Sequence, residues 1–197
     1  MIKRIFDFLF SIIALILFSP FLIIIAIVIK LHDFGPVFYM APRVGQHGKL
    51  FNMFKFRTMV MNADKIGASS TTLSDSRITK IGYFLRKYKL DELPQLINVF
   101  IGNMSIVGPR PDVKAFTDLF TEEEKAILSV KPGITDWASI WNSDEGKILE
   151  GSKDPDATYK ELIWPEKKKL QLKYVQEHTF LIDLKIVFLT IKSIIIK

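Results

Sequence analysis

From Phe8 to Ile29 the chain carries no charged residue, and that feature decides where its N-terminal segment can live. The run is long enough to cross the hydrocarbon core of a bilayer as a helix. It exceeds the apolar stretch of a secretory signal, whose basic end Lys3 and Arg4 would imitate, and no small-x-small cleavage site follows it. Near its middle stands Ser19-Pro20. Proline removes a backbone hydrogen bond and crowds the preceding turn, so the helix is expected to bend there. Each half then has about 11 residues, roughly 17 Å at the helical rise, about half of the hydrocarbon thickness. Two such arms can enter and leave on one face, with the Ser19 hydroxyl near the carbonyl that the proline frees. A kinked span through the bilayer meets the same conditions. Flanking charge does not separate the two, because Lys3 and Arg4 on one side face Lys30 on the other.

Beyond that run the chain is of another kind. Hydrophobic residues are 49% of the 197, yet 24% are charged and the mean hydropathy is +0.22. This balance describes a membrane segment, residues 1–31, joined to one globular domain, residues 32–197. A net charge of +6 and a pI of about 9.4 favour anionic partners, phosphates and anionic leaflets among them. Without cysteine, disulfide and thiolate chemistry are excluded, and a cytoplasm-facing location is allowed.

The globular part reads as α+β, mostly helical with one small β-hairpin. Gly35-Pro-Val-Phe38 leads into an extended run, Gly45-Gln-His-Gly48 is a turn, and Lys49 to Phe56 alternates as a strand. Thr58 to Ala68 reads as a short helix and Ala68 to Ser76 as a loop. Ile81 to Lys89 is a basic helix, and Leu90 to Ile101 is a second, apolar-periodic one ended by Gly102-Asn103. Ser105 to Pro111 reads as a loop. Thr121 and Glu124 have the spacing of a capping box opening a helix, which Lys131-Pro-Gly-Ile-Thr135 breaks. Asp144 to Tyr159 reads as loop and Glu166 to Glu177 as a basic helix. Phe180 to Lys197 is apolar but interrupted by Asp183, Lys185 and Lys192, which suits a helix lying in the membrane interface; an ordinary core helix is the alternative.

Chemistry concentrates around Lys89-Leu-Asp-Glu-Leu-Pro-Gln95. Asp91 and Glu92 open a helix, where acids also complement the dipole. Neighbouring helical positions diverge by about 100°, so the two would not share a proton but take separate roles, one attacking or binding metal and the other a base or second ligand. Cations crowd them. Arg86, Lys87 and Lys89 precede the acids, and Arg110 sits between Pro109 and Pro111 on a stiff backbone suited to bidentate phosphate contact. Lys55 and Arg57 fall on one face of the expected strand. Together these groups describe a site for metal-bridged phosphates. His32, His47 and His178 lack zinc-ligand spacing, and neither a Walker loop nor a dinucleotide fingerprint is present. Trp137, Trp141 and Trp164 suit the membrane interface or the core. The scattered basic charge speaks against nucleic acid as a partner.

These residues resemble the bacterial sugar transferases, or monotopic phosphoglycosyl transferases. The resemblance runs in order through Lys3-Arg-Ile-Phe-Asp7, Ser19-Pro20, Gly35-Pro-Val-Phe38, Arg43-Val-Gly45, Lys55-Phe-Arg-Thr-Met59, Arg77-Ile-Thr-Lys-Ile-Gly82, Leu85-Arg86, Leu90-Asp-Glu-Leu-Pro-Gln95, Met104-Ser-Ile-Val-Gly-Pro-Arg-Pro111 and Lys131-Pro-Gly-Ile-Thr135. The last third of the chain is similar only loosely.

The resemblance implies a re-entrant membrane helix bent at Ser19 and Pro20, interfacial amphipathic helices, and a catalytic domain on the cytoplasmic face of the bacterial inner membrane. It implies that Asp91 attacks the sugar-linked phosphate of a UDP-sugar and releases UMP. Polyprenyl (undecaprenyl) phosphate then takes the sugar phosphate from the aspartate, in the first membrane step of glycan assembly. Mg2+ at Asp91 is the implied cofactor, with Glu92 as base or outer ligand. Arg110 and Arg86 are the leading phosphate contacts, followed by Lys55, Arg57, Arg43 and Arg77. The sugar is left open, and so is the oligomeric state, a dimer included. Two departures stand out: Lys89, where many relatives have Ser or Thr, and Ser143, near which some carry an arginine. The chain resembles the minimal catalytic form of the family, without the extra N-terminal helices of longer members. Resolution of the same aspartyl intermediate by water, or a surface module that only binds nucleotide sugars or anionic lipid, are the rival readings.

Overall fold

The computed structural model describes residues 2–67, 70–72, 74–143 and 145–195. The expected loop from Ala68 to Ser76 therefore lies partly outside the described residues, as do Asp144 and the last two residues of the C-terminal segment.

Helix α1 runs without interruption from Ile2 to Asp33, with Pro20 inside it. By length and composition it could cross a membrane. The Ser19 hydroxyl donates to the Ile16 carbonyl at 2.8 Å, as the sequence suggested. Both halves of α1 pack on the globular part. Ala14 and Leu15 join a cluster with Ala41, Met53, Val99, Met104 and Ile186. Ile25 and Ile29 join Phe56 and Leu85 in a second cluster, flanked by Leu22 and Ala26. Between them Ile16, Leu17, Phe18, Pro20 and Phe21 are exposed.

The N-terminal half is also pinned by charge. Lys3 reaches Asp183 at 2.5 Å and the Val107 carbonyl at 2.9 Å, and Tyr174 donates to the same Asp183 at 2.7 Å. Arg4 donates to the carbonyls of Val99 and Phe100. Asp7, buried, accepts from the Ser105 hydroxyl and the Ile106 amide. Each polar group of this end thus finds a partner that water would otherwise supply.

The expected hairpin forms from β1 (Phe38–Val44) and β2 (Leu50–Phe56), antiparallel, with Phe38 opposite Phe56 and Val44 opposite Leu50. Its turn is the 3-10 segment Gln46–Gly48, in which His47 takes φ 56°. The helix expected over Thr58 to Ala68 shrinks to a 3-10 turn, Ala63–Lys65, because Met59 pairs across to Ile78. Helix α2 (Lys80–Lys87) is capped by Thr79, whose hydroxyl accepts from the Gly82 amide at 2.9 Å.

The second expected helix splits. Leu90–Glu92 is a 3-10 turn, and α3 (Gln95–Ile101) begins after Pro94 and ends at Gly102 with φ 94°. The segments read as loop and breaker after it are strands: β3 (Ser105–Val107) pairs in parallel with β4 (Gly133–Thr135). The two chains cross so closely that a Cβ on Gly133 would lie 2.1 Å from the Gly108 amide nitrogen. That proximity, not alternation, makes the pair, so three-residue strands left no period to read.

Helix α4 (Lys114–Thr117) and a 3-10 segment, Glu124–Ser129, follow β3. The capping box is present: Thr121 and Glu124 exchange side-chain to amide bonds at 2.9 and 3.3 Å. After β4 come α5 (Trp137–Trp141), α6 (Glu145–Ile148) and α7 (Pro155–Thr158), then a π-helical turn, Tyr159–Ile163, so the stretch read as loop is largely short helical turns. Its Leu149, Tyr159 and Ile163 pack with Phe116, Phe120, Ile127 and Trp164, a cluster that the local polarity hid. Helix α8 (Trp164–Glu177) is the expected basic helix. Helix α9 (Phe180–Ile195) buries Asp183 and Ile186 and exposes Leu181, Leu184, Phe188 and Ile191 on its outer side. Trp164 is in the core, Trp137 packs at its edge, and Trp141 is exposed.

Candidate active site

The site is built where three elements meet: the turn after α2, strand β2 and the loop after β3. Gly82 lets α2 lie against the carbonyl of Thr58, since a Cβ there would stand 1.9 Å from that oxygen. Arg86, one turn on, donates to the Thr58 hydroxyl at 2.9 Å. Lys89 then takes the left-handed conformation at φ 57° and turns the chain into the 3-10 segment that carries Asp91 and Glu92. Its side chain makes no capping bond, so the cap that Ser or Thr would offer here is absent.

Glu92 is held by two cations. Lys55 from β2 donates to its Oε1 at 3.0 Å, and Arg110 donates to the same oxygen. Arg110 also donates to the Ile134 carbonyl at 3.1 Å, while its own backbone is fixed by Asp136, which accepts from its amide, and by Gln171, which donates to its carbonyl. Asp91 is buried, 6% exposed, yet among the described residues nothing makes a hydrogen bond or ion pair to its carboxylate.

The two acids titrate apart. Burial raises the Asp91 carboxyl above its ordinary value, Lys55 opposes the rise, and Glu92 adds to it. Burial would raise Glu92 as well, but Arg110 and Lys55 outweigh it and hold Glu92 far below the usual carboxylate range. Neighbouring acids driven in opposite directions can take different roles. Burial also lowers Lys55 and Arg86, each partly restored by the carboxylates.

Of the cations named from the sequence, Lys55, Arg86 and Arg110 surround the acids. Arg43 lies beside Arg110, half-buried, with its guanidinium bonded to the Pro42 carbonyl and no carboxylate paired to it among the described residues. Arg57 and Arg77 are each paired with a neighbouring carboxylate. Arg57 lies just beyond β2 and closes an ion pair with Asp33 at the end of α1, together with a bond to the Pro36 carbonyl. Arg77 forks onto Asp75 at 2.7 Å and bonds the Ala63 carbonyl, bracing the loop before α2. Asp136, Gln171 and Gln95 were not foreseen. Asp136 carried a signal, an N-cap acid before Trp137-Ala-Ser139, and it does accept from the Ser139 amide at 2.7 Å.

No group of three or more metal-ligating side chains occurs among the described residues, and the histidines form no cluster. A Mg2+ ion fits nonetheless in chemistry: it binds through one or two carboxylates and takes its remaining ligands from substrate phosphates and water. The unpaired Asp91 carboxylate is the available ligand.

The bacterial sugar transferase family model matches residues 1–197, beyond the point where the motifs ended. The chain is 39% identical to the UDP-glucose:undecaprenyl-phosphate glucose-1-phosphate transferase of Escherichia coli (strain K12), covering 97% of this chain and 39% of that protein. It is 36% identical to the UDP-N-acetylgalactosamine-undecaprenyl-phosphate N-acetylgalactosaminephosphotransferase of Aeromonas hydrophila, over 98% of this chain and 44% of the relative. The uncharacterized sugar transferase EpsL of Bacillus subtilis (strain 168) is 36% identical over 99% of this chain and 88% of its own length. The chain thus spans about two-fifths of the Escherichia coli and Aeromonas relatives and most of the Bacillus one. With a match along its whole length, the chain belongs to the bacterial sugar transferase family.

Proposed function

We propose that the chain transfers a sugar 1-phosphate from a UDP-sugar to polyprenyl (undecaprenyl) phosphate through a covalent phosphosugar on Asp91. The observation that carries this reading is the division of labour between neighbouring acids. Glu92 neutralises Lys55 and Arg110, while Asp91 stays buried and unpaired beside them. The names of the relatives supply the substrate class.

In the first step an Asp91 oxygen attacks the sugar-linked phosphorus. The bond from that phosphorus to the bridging oxygen breaks, and UMP leaves with the oxygen. In the second step an oxygen of the polyprenyl phosphate attacks the same phosphorus, and the acyl-phosphate bond breaks to restore the carboxylate. A carboxylate is a competent nucleophile for such an intermediate. Arg110, Lys55 and Arg86 offer donors to phosphate oxygens as charge shifts between them, with Arg43 within reach of the same anion. The acceptor is already an anion, so no proton need be removed from it, and Glu92 serves to hold the cations. Mg2+ held by Asp91 would supply further neutralisation of phosphate charge.

The acceptor is a lipid, which requires the site to meet a membrane. Both halves of α1 pack on one globular body while the residues around Pro20 stand clear of it. A helix with its ends on opposite faces of a bilayer could not do this unless that body were also in the membrane. The arrangement favours a re-entrant α1, with the site on the cytoplasmic face where nucleotide sugars are available. The apolar outer side of α9 is then suited to the interface.

The test is UMP release from a panel of UDP-sugars with detergent-solubilised protein, Mg2+ and undecaprenyl phosphate. UMP turnover that requires the lipid beyond a single equivalent per enzyme, and is lost in Asp91→Asn, supports the transferase and names its sugar. Sugar phosphate appearing in water favours a hydrolase, and turnover surviving Asp91→Asn overturns the covalent route.

A further inference from the structure

Glu92 and Asn98, three positions to either side of Gln95, both bond to β2. At one end Glu92 meets Lys55 of β2 at 3.0 Å. At the other, Asn98 accepts from the Phe54 amide and donates to the Asn52 carbonyl, both at 2.8 Å. Between them the backbone closes three-residue turns, Leu96 to Leu93 at 3.1 Å and Ile97 to Pro94 at 3.0 Å, so positions three apart stack on one side.

Gln95 is the middle member. It is 0% exposed, and neither its amide nitrogen nor its amide oxygen has a hydrogen-bond partner. Asn98, equally buried, is bonded through both amide atoms, so depth alone does not explain the difference. A buried amide unpaired at both ends is rare and costly, and such groups recur where function needs them in another state. The surroundings suggest which state. Lys55 has three N–H donors and gives one to Glu92, and the Asp91 carboxylate is unpaired. A carboxamide has an acceptor for the ammonium and donors for the carboxylates.

We propose that Gln95 is a positioning residue of the transfer site. When a substrate phosphate draws Lys55 or Arg110 from Glu92, the Gln95 amide donates to the freed Glu92 carboxylate and keeps it and its cations in place around the phosphate. This rests on the transferase reading above. The amide weakens the ligand-free protein and is satisfied only when the anion is bound.

The experiment compares the wild-type protein in detergent with Gln95→Met, of similar length but without the amide, and Gln95→Asn, which keeps one. Thermal stability and steady-state transfer are measured on each. Gln95→Met should unfold at or above the wild-type Tm, while kcat falls roughly tenfold to hundredfold, the worth of a hydrogen bond to a charged group. KM for the UDP-sugar should change far less, and Gln95→Asn should recover part of kcat although its smaller side chain lowers Tm. A Gln95→Met protein with wild-type kcat overturns the proposal. So does one whose Tm drops below the wild type, the mark of a structural amide, and that result needs no turnover. Lack of transfer by the wild type with every donor instead sinks the transferase reading itself.

Discussion

The hydroxyl of Ser19 donates to the carbonyl of Ile16 at 2.8 Å, and Pro20 is the residue that leaves that carbonyl without its helical amide. In lipid no water replaces the missing donor. Ser19→Ala alone should therefore destabilise the protein by about 1–3 kcal/mol. The double variant Ser19→Ala with Pro20→Ala should regain most of it, because position 20 then has an amide to donate. Equilibrium unfolding of the single and double variants in lipid nanodiscs reads the cycle. A Ser19→Ala protein as stable as the wild type would show that the bond contributes nothing.

The absence of cysteine makes the topology of α1 directly testable. Ile5 is 52% exposed and Leu31 63% exposed, one near each end of the helix. With Ile5→Cys or Leu31→Cys, a membrane-impermeant maleimide should label both proteins in inside-out vesicles and neither in right-side-out vesicles. Labelling of the two sites from opposite sides would establish a span.

Asp91 and Glu92 should respond oppositely to loss of charge. Asp91 is buried without a partner and its carboxyl is raised, so Asp91→Asn removes a desolvated charge and should leave Tm unchanged or higher. Transfer should fall by about a thousandfold or more, since the proposed nucleophile is gone. Glu92→Gln removes the carboxylate that Lys55 and Arg110 share, and should cost stability, about 1–3 kcal/mol, as well as activity. Paired Tm and UMP-release measurements check the contrast, which fails if Asp91→Asn is the less stable of the two.

Glu124 gives a pH signature away from the site. Burial raises its carboxyl, but the bond from Lys168 at 2.6 Å and the Thr121 amide outweigh it, so it lies below its ordinary value of 4.5. A folded value below the unfolded one means stability that is fully present above pH 4.5 and lost as pH falls through the folded value. Glu124→Gln should thus be less stable than the wild type at pH 7 by about 1 kcal/mol. The gap should close in acid. Urea titrations at both pH values measure it, and a gap that persists unchanged in acid would assign the effect to something other than this charge.

Local patterns made the hairpin, α2, α8 and the capping box legible, because each is written in neighbouring residues. The β3–β4 pair was not, since Ser105–Val107 and Gly133–Thr135 meet through a glycine crossing far apart in sequence. The same limit divides the site. Asp91, Glu92, Lys55, Arg86 and Arg110 were recognisable as a cluster of charges, whereas the ion pairs of Arg57 and Arg77 with Asp33 and Asp75 are set by the fold. Gln95 stands inside the Leu90-Asp-Glu-Leu-Pro-Gln95 motif, but its distinguishing property is a missing partner, which depends on the fold around it.

Lys3 is the cation for Asp183, which is 3% exposed and also accepts from Tyr174 at 2.7 Å. Lys3→Met would leave that carboxylate buried with a phenol as its remaining donor, and should cost about 1.5–3 kcal/mol, the worth of a hydrogen bond to a charged group, since Lys3 itself is partly exposed. Removing both charges, Lys3→Met with Asp183→Leu, should recover much of that loss, since two ions no longer need to leave water. The recovery separates a paired charge from a general need for lysine near the terminus. If the double variant is as unstable as the sum of the two single ones, Lys3 and Asp183 act independently, and the N-terminal half of α1 is held by Arg4, Asp7 and apolar packing instead.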